Sequence, residues 1–358
     1  MSETSFGVYV HVPFCASRCD YCAFATWTDR HHLAERYARA VVAEAGRAGL
    51  APATSVFVGG GTPSQLPADL LAEVLAAVPL APGAEVTVEC NPDDASEPLL
   101  ATWRRAGVTR VSLGVQSLDP VVLAGLGRLH GPQAVDRAVA LVRVAGFATW
   151  NLDLITGGAG EGDASWRGTL DGALALDPPH VSAYCLTVEP GTPLAADPIR
   201  HPDEDAQADR YLVADEVLSR AGLAWYEVSN WARPGHECRH NRLTWEQGDY
   251  RGLGCAAHSH AAGRRWWNVR TPERYCALVE AGADPTAGEE VLDGPVRAQE
   301  ALELVLRTRR GVPAAALDAD DPALAGLLAA NGDRLVLTPR GRLLASEVAL
   351  RLRVPASA

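Results

Sequence analysis

The 358-residue sequence contains no run of eighteen apolar residues, so it predicts no membrane-spanning helix. Its opening, MSETSFGVYVHV, lacks the charged stretch and following apolar run of a secretory signal. Positive charge is also scarce. Thirty-two Lys and Arg against 44 Asp and Glu leave a net charge of −12, and no RNA-binding module is legible, so a partner gripped through its phosphates is not expected. These absences predict a cytoplasmic chain with no nucleic-acid partner and no membrane span. The glycine run at 59–61 is not followed by Gly-Lys-Ser/Thr, which excludes a P-loop. In a cytosolic chain the eight cysteines are poor candidates for structural disulfides. Hydrophobic residues make up 47% of the chain, enough for one large domain and a small one.

The first two-thirds alternates strand-like and helix-like stretches. Runs rich in Val, Ile, Leu, Thr and aromatics occupy 8–12, 55–58, 85–90, 110–115, 148–155 and 180–188. Between and after them, helical spacing of Ala, Leu and charge covers 33–49, 67–78, 97–106, 132–145, 165–176 and 203–221. Six βα units in order predict an α/β fold with parallel strands and right-handed crossovers, either a partial (β/α)6 barrel or a doubly wound sheet. A strand-like piece at 223–229 leads into a Gly-, His- and Trp-rich stretch, 230–267, that reads as neither helix nor strand. The texture changes near Gly294. A helix at 297–310, a strand at 334–338 and a helix at 339–351 capped by Thr338 predict a small winged-helix-like C-terminal domain. The expected division is 1–230 as barrel, 231–293 as a connecting segment and 294–358 as the small domain.

The unusual residues fall where this map puts the carboxyl ends of the strands, the edge on which α/β folds build their sites. Cys15 follows the first strand, Gly59-Gly60-Gly61-Thr62 the second and Gln116 the fourth. Glu89 ends the third, and Asp153 lies near the end of the fifth. Cys15-x3-Cys19-x2-Cys22 places three thiols in eight residues. Thiolates ligate iron–sulfur clusters, normally four per cluster. Three with no evident fourth would leave one iron open to chelate the amino and carboxylate groups of S-adenosylmethionine (SAM), whose sulfonium an electron from the cluster can cleave to a 5′-deoxyadenosyl radical. The alternatives are a zinc site, which needs a fourth ligand, and a Cys19-x-x-Cys22 redox pair. Gly61 and Thr62 let a ligand approach backbone N–H groups, or form an ordinary tight turn. Glu89, Gln116, Arg128 and Asp153 could hold ammonium, ribose or carboxylate groups, or play structural parts.

Tyr9-x-His11-x-Pro13-x-Cys15-x3-Cys19-x2-Cys22 resembles the opening of the oxygen-independent coproporphyrinogen III oxidase family of radical SAM proteins. The likeness continues through GGGTPS at 59–64, VECNP at 88–92, SLGVQS at 112–117, GRLH at 127–130, LTVEPGTPL at 186–194 and YEVSNWA at 226–232, and reaches RLVLTPRGRLLASEV near the end. The oxidases resemble Cys-x3-Cys-x2-Cys-x-Cys, whereas the fourth position here is Phe24. Only eight residues precede Tyr9, and HNRLTW at 240–245 resembles the HNxxYW motif of the HemW-type heme chaperones, with Thr244 in place of the tyrosine. GLGCAAHS at 252–259 resembles the stretch that follows that motif.

The resemblance implies a radical SAM barrel with a [4Fe–4S] cluster on Cys15, Cys19 and Cys22. Tyr9 and Tyr21 would flank the cluster and SAM. Gly61, Thr62, Glu89, Gln116, Arg128 and Asp153 would contact SAM, and His240 with Trp245 would bind heme, with His258 and Cys255 as further candidates. It implies a heme chaperone that passes heme to an acceptor protein and draws on an electron donor. The alternative is radical oxidative decarboxylation of coproporphyrinogen III, against which the missing fourth cysteine counts.

Overall fold

A computed structural model describes residues 5–318 and 320–355. Six parallel strands follow one another in sequence order: β1 (Phe6–Val12), β2 (Ala53–Gly60), β3 (Leu80–Cys90), β4 (Arg110–Gln116), β5 (Thr149–Thr156) and β6 (His180–Cys185). Helices Ala34–Arg47, Ala68–Ala76, Glu97–Arg105, Pro132–Val144 and Asp163–Ala175 return the chain between strands, and Glu204–Arg220 follows β6. The sixth strand stops at Cys185, three residues short of the expected run, where the chain bends at Leu186 to bond back to Thr156.

The two faces of these strands differ in kind. Val8, Val10 and Val12, then Val56 and Val58, Val86 and Val88, Val111 and Leu113, Leu152 and Leu154, and Val181 are buried in the main core. Burying each such side chain stabilises by roughly 1.5–3 kcal/mol. At intervening positions on β3 to β6, Thr87, Glu89, Arg110, Ser112, Gln116, Asn151, Asp153, His180, Ser182 and Tyr184 line one interior cavity, together with Gly114 and Ile155. Parallel strands usually read as continuous apolar runs. Here a period of two divides a mainly apolar outer face from a mainly polar lumen.

The stretch 230–267 is largely regular, contrary to the reading from sequence. β7 (Ala224–Glu227) and β8 (Asn230–Ala232) extend the sheet antiparallel beyond β6. A helix, Arg239–Trp245, follows. β9 (Asp249–Leu253) then pairs in parallel with β1, and β10 (His258–Ala261), β11 (Arg264–Asn268) and β12 (Thr286–Val291) continue antiparallel. The result is one sheet of twelve strands. These strands are three to six residues long and separated by turns, so no apolar window long enough to register as a strand precedes them.

A second apolar core gathers Leu302, Leu306, Val312, Leu324, Leu335, Leu337 and Val348 around the helix Gly294–Leu306 and a small antiparallel sheet. That sheet comprises β13 (Val312–Pro313), β14 (Leu328–Asn331) and β15 (Arg334–Leu337). The last expected helix is two, Pro339–Leu343 and Ala345–Ala349, interrupted at Leu344. Thr338 caps the first, its Oγ1 accepting from Gly341 N–H at 3.0 Å.

Candidate functional site

A cavity of about 750 Å³ opens at the carboxyl ends of the strands and runs down the lumen. Cys15, Cys19 and Cys22 all lie on its wall. The loop carrying them is pinned on several sides. Cys15 N–H donates to Trp27 O at 3.1 Å, and Trp27 N–H to Pro13 O at 2.8 Å. Asp20 N–H donates to Leu126 O at 3.3 Å, Leu194 N–H donates to Asp20 O at 2.9 Å, and the Asp20 carboxylate pairs with Arg200 at 2.7 Å. The GRLH and PGTPL motifs thus sit where they hold the thiol loop.

Gly61 passes directly beneath Cys15. A Cβ there would stand 2.8 Å from both Val12 O and Phe14 O and 3.1 Å from Cys15 Sγ, so only glycine fits. Thr62 Oγ1 reaches Cys15 Sγ at 3.5 Å. Burial pushes the Cys15 and Cys22 thiols up from their ordinary acidity. Arg128 brings positive charge to this wall. Its Nη1 lies 3.4 Å from Cys19 Sγ, its Nη2 donates to Asn91 Oδ1 at 2.7 Å and Gly114 O at 3.0 Å, and its buried Nε has no partner.

Glu89 and Asp153 face each other's field across the lumen. Burial, reinforced by the Asp153 charge, raises the Glu89 carboxyl to about 8. Burial also raises Asp153, against hydrogen bonds from Ser112 Oγ at 2.8 Å and Asn151 Nδ2 at 2.7 Å. Gln116 sits in the left-handed region at φ 64°, at a register shift in the β4–β5 pairing. A non-glycine residue held there stores strain of the kind concentrated at working sites. Tyr21 lies on the cavity wall, against the apolar cluster of Val122, Leu126, Ile155, Leu186 and Leu194.

Tyr9 does not line the cavity. Its Oη bonds His11 Nδ1 at 3.1 Å, and His11 Nε2 reaches Ala25 O at 2.9 Å, so Tyr9 steadies the thiol loop through His11. Burial lowers His11 to about 4, keeping it neutral.

His240 and Trp245 do not open onto the cavity either. The segment 233–245 crosses the amino ends of the strands and closes the lumen from below. Arg233 N–H donates to Pro179 O at 2.9 Å, His236 O accepts from Arg110 Nη1 at 2.8 Å, and Arg239 N–H donates to Glu85 Oε1 at 2.7 Å. His240 Nδ1 shares a hydrogen bond with Ser55 Oγ at 3.2 Å. Its ring packs between Phe57 and Tyr250 and above Gly7, and burial lowers it to about 4. Trp245 is half-buried against Tyr226, with ring centroids 5.9 Å apart. Within this segment Cys238 and Asn241 face the cavity. Cys255 is buried beside Tyr37, and His258 is exposed and stacked on Trp267.

Three thiols on one wall, beside a buried guanidinium with an unused N–H, suit an anionic cluster and a charged ligand. Among the described residues, no three His, Cys, Asp or Glu side chains gather tightly enough to hold a single metal ion, as a zinc site requires. The curled parallel sheet and its three-thiol wall define a radical SAM protein, and the Radical SAM superfamily model matches residues 9–172. Such proteins carry a [4Fe–4S] cluster and SAM. Heme chaperone HemW of Mycobacterium tuberculosis is 44% identical over a 369-residue alignment spanning 97% of this chain and 95% of that protein. HemW of Escherichia coli is 39% identical over 264 residues, 70% of this chain and 69% of that protein. The chain belongs to the HemW family. The fold is shared with the Escherichia coli coproporphyrinogen III oxidase HemN, a radical SAM enzyme, at a TM-score of 0.84 and 22% identity over 97% of this chain and 90% of that one.

Proposed function

We propose that this chain is a cytoplasmic heme chaperone that binds heme, passes it to an acceptor protein and takes electrons from a donor. Cys15, Cys19 and Cys22 hold the cluster in this reading. Gly61 and Thr62 receive the SAM methionine group, Gln116 and Arg128 its polar groups, and Glu89 and Asp153 its ammonium and ribose. Tyr21 packs beside them. Bound together, cluster and SAM supply one-electron chemistry at the mouth of the lumen. Arg128 offsets the negative charge gathered there, and the polar lumen orients whatever lies against it.

The observation that favours chaperone over oxidase is residue 24. The fourth cysteine of the oxidase pattern is replaced by Phe24, which is 67% exposed at the cavity rim. An exposed aromatic at a cavity mouth suits contact with an apolar macrocycle or a partner surface. Heme ligation by His240, with Trp245 stacking on the ring, is proposed for an opened state. In place, the imidazole is enclosed, so the Arg239–Trp245 helix has to leave the lumen first. Residues 294–358 are proposed to form a separate small domain, 1–230 the barrel and 231–293 the connection between them.

Anaerobically reconstituted protein is to be titrated with hemin by its Soret band, then assayed for coproporphyrinogen III decarboxylation with SAM and reductant. Stoichiometric heme uptake without decarboxylation is expected. Decarboxylation without heme uptake overturns the reading in favour of the oxidase. Loss of uptake in His240→Ala, with the fold intact, places the iron ligand.

A further inference from the structure

The lower end of the lumen contains a charge with no part in holding the cluster or SAM. Arg110 opens β4 and points inward among the cavity-lining residues. It is 1% exposed. Among the described residues its guanidinium has only two hydrogen-bond partners, both neutral and both to Nη1: Thr149 Oγ1 at 3.0 Å and His236 O at 2.8 Å. Among the described residues, no carboxylate pairs with it. A buried cation is normally held by a counter-charge, because desolvating it alone is costly. Its other N–H groups remain available to an anion in the cavity, in the planar fork that carboxylates fit.

Two carboxylates stand near this floor and neither pairs with Arg110: Glu85 accepts from Arg239 N–H at 2.7 Å, and the Arg110 charge reaches Asp153 without a hydrogen bond. His180, held neutral by burial, bonds Asn151 and Tyr226, the latter at 2.7 Å, while Tyr226 accepts from Cys238 N–H at 3.2 Å. Burial holds the Cys238 thiol at about 12 and therefore protonated. Asp153, further up the lumen, is engaged by Ser112 and Asn151. From Arg110 to Gln116 at the mouth is six strand residues, roughly 20 Å. The two ends of the lumen are therefore separate subsites.

We infer that the lumen floor, built from Arg110 with Asn241 and Cys238 of the closing segment, is a binding subsite for a carboxylate group. Two ligands could deliver it: a heme propionate, which rests on the proposed function and would meet Arg110 once the Arg239–Trp245 helix has moved aside, or a free small carboxylate, which does not rest on it and fits the closed floor.

The test uses full-length protein with its cluster reconstituted, in wild-type, Arg110→Met and Arg110→Lys forms. Melting is followed in millimolar sodium glutarate against sodium chloride of equal ionic strength. Wild type is expected to melt higher in glutarate, Arg110→Met to lose the difference and Arg110→Lys to keep part of it. In parallel, hemin is titrated against hemin dimethyl ester. If propionate is the occupant, wild type prefers the free acid by about tenfold or more and Arg110→Met does not, as expected for one charge-assisted bond. A glutarate response with no preference between the two hemins assigns the subsite to a free carboxylate. If wild type binds neither hemin, the heme reading fails and the glutarate arm alone judges the subsite. No glutarate-specific rise in wild type, or an equal rise in Arg110→Met, overturns the subsite. Because wild type alone gives the first of these outcomes, the inference stays falsifiable even if Arg110→Met does not fold.

Discussion

Single atoms set the limits at the thiol loop. Gly61→Ala would drive a methyl into two backbone carbonyls and the Cys15 sulfur. Iron content after reconstitution is expected to fall severely, while far-UV circular dichroism stays near wild type because the clash is confined to one loop. Glu89 makes a different prediction. Its carboxyl is raised to about 8 in the folded protein, against an ordinary value near 4.5. Between those values the folded state binds the extra proton, so stability is greatest below about pH 4.5 as far as this group is concerned and declines as pH rises toward 8. The slope contributed is at most about 1.4 kcal/mol per pH unit. Glu89→Gln is expected to flatten the fall of melting temperature between pH 5 and 8. An unchanged pH profile would mean that Glu89 ionises freely. Cationic SAM should draw Glu89 into its charged form, so binding at pH 7 is expected to release a proton, measurable as a buffer-dependent heat.

The elements were unevenly legible in the sequence. All six βα units were readable because the outer strand faces are dominated by Val and Leu and each helix is long enough to show its period. The thiol loop and glycine turn were found from spacing alone. Of the polar lumen, Glu89, Gln116 and Asp153 were named from the sequence, whereas Thr87, Arg110, Ser112 and Asn151 were missed although their signal is present: EVTVEC, RVSLGVQ and NLDL alternate, and the polar partners in that alternation make the site. The stretch 230–267 was misread because a short helix and strands of a few residues leave no periodic window, and what fixes them is tertiary. Glu44 illustrates this. It lies on the Ala34–Arg47 helix, yet accepts hydrogen bonds from Gly254 N–H at 2.9 Å, Asn268 Nδ2 at 2.9 Å and Tyr275 Oη at 2.6 Å. One buried carboxylate thereby fastens the β9–β11 extension to the barrel. Glu44→Leu would strand those three donors, each costing roughly 1–3 kcal/mol, and would also unpair Arg251, which lies 3.4 Å from the same carboxylate. Chemical denaturation is expected to show a loss of several kcal/mol, and a loss below about 1 kcal/mol would mean that the extension is held by its strand pairing alone.

Across the whole molecule, the two apolar cores meet at a buried ion pair. Arg342 forks onto Asp215 at 2.8 and 2.7 Å, and Trp231 Nε1 donates to the same carboxylate at 2.9 Å. The guanidinium also lies 4.4 Å from the Trp225 ring centroid. Arg342→Met leaves Asp215 buried beside Trp231 without its counter-charge, a loss of about 3–5 kcal/mol. Calorimetry is expected to resolve two transitions in this variant where wild type gives one, because the second core then melts on its own. The closing segment 233–245 has a consequence for the order of events during folding. It bonds in turn to the chain before β6, then to β4, β3 and β2, and it packs on β1. The full set of those anchors exists only once β1 to β4 and the start of β6 stand side by side. The lumen is therefore sealed last, and a nascent barrel stays open from below after its sheet is complete. In pulsed hydrogen exchange the Arg239 amide is expected to gain protection after the amides of β2 to β4, and during that interval water can enter the lumen from both ends.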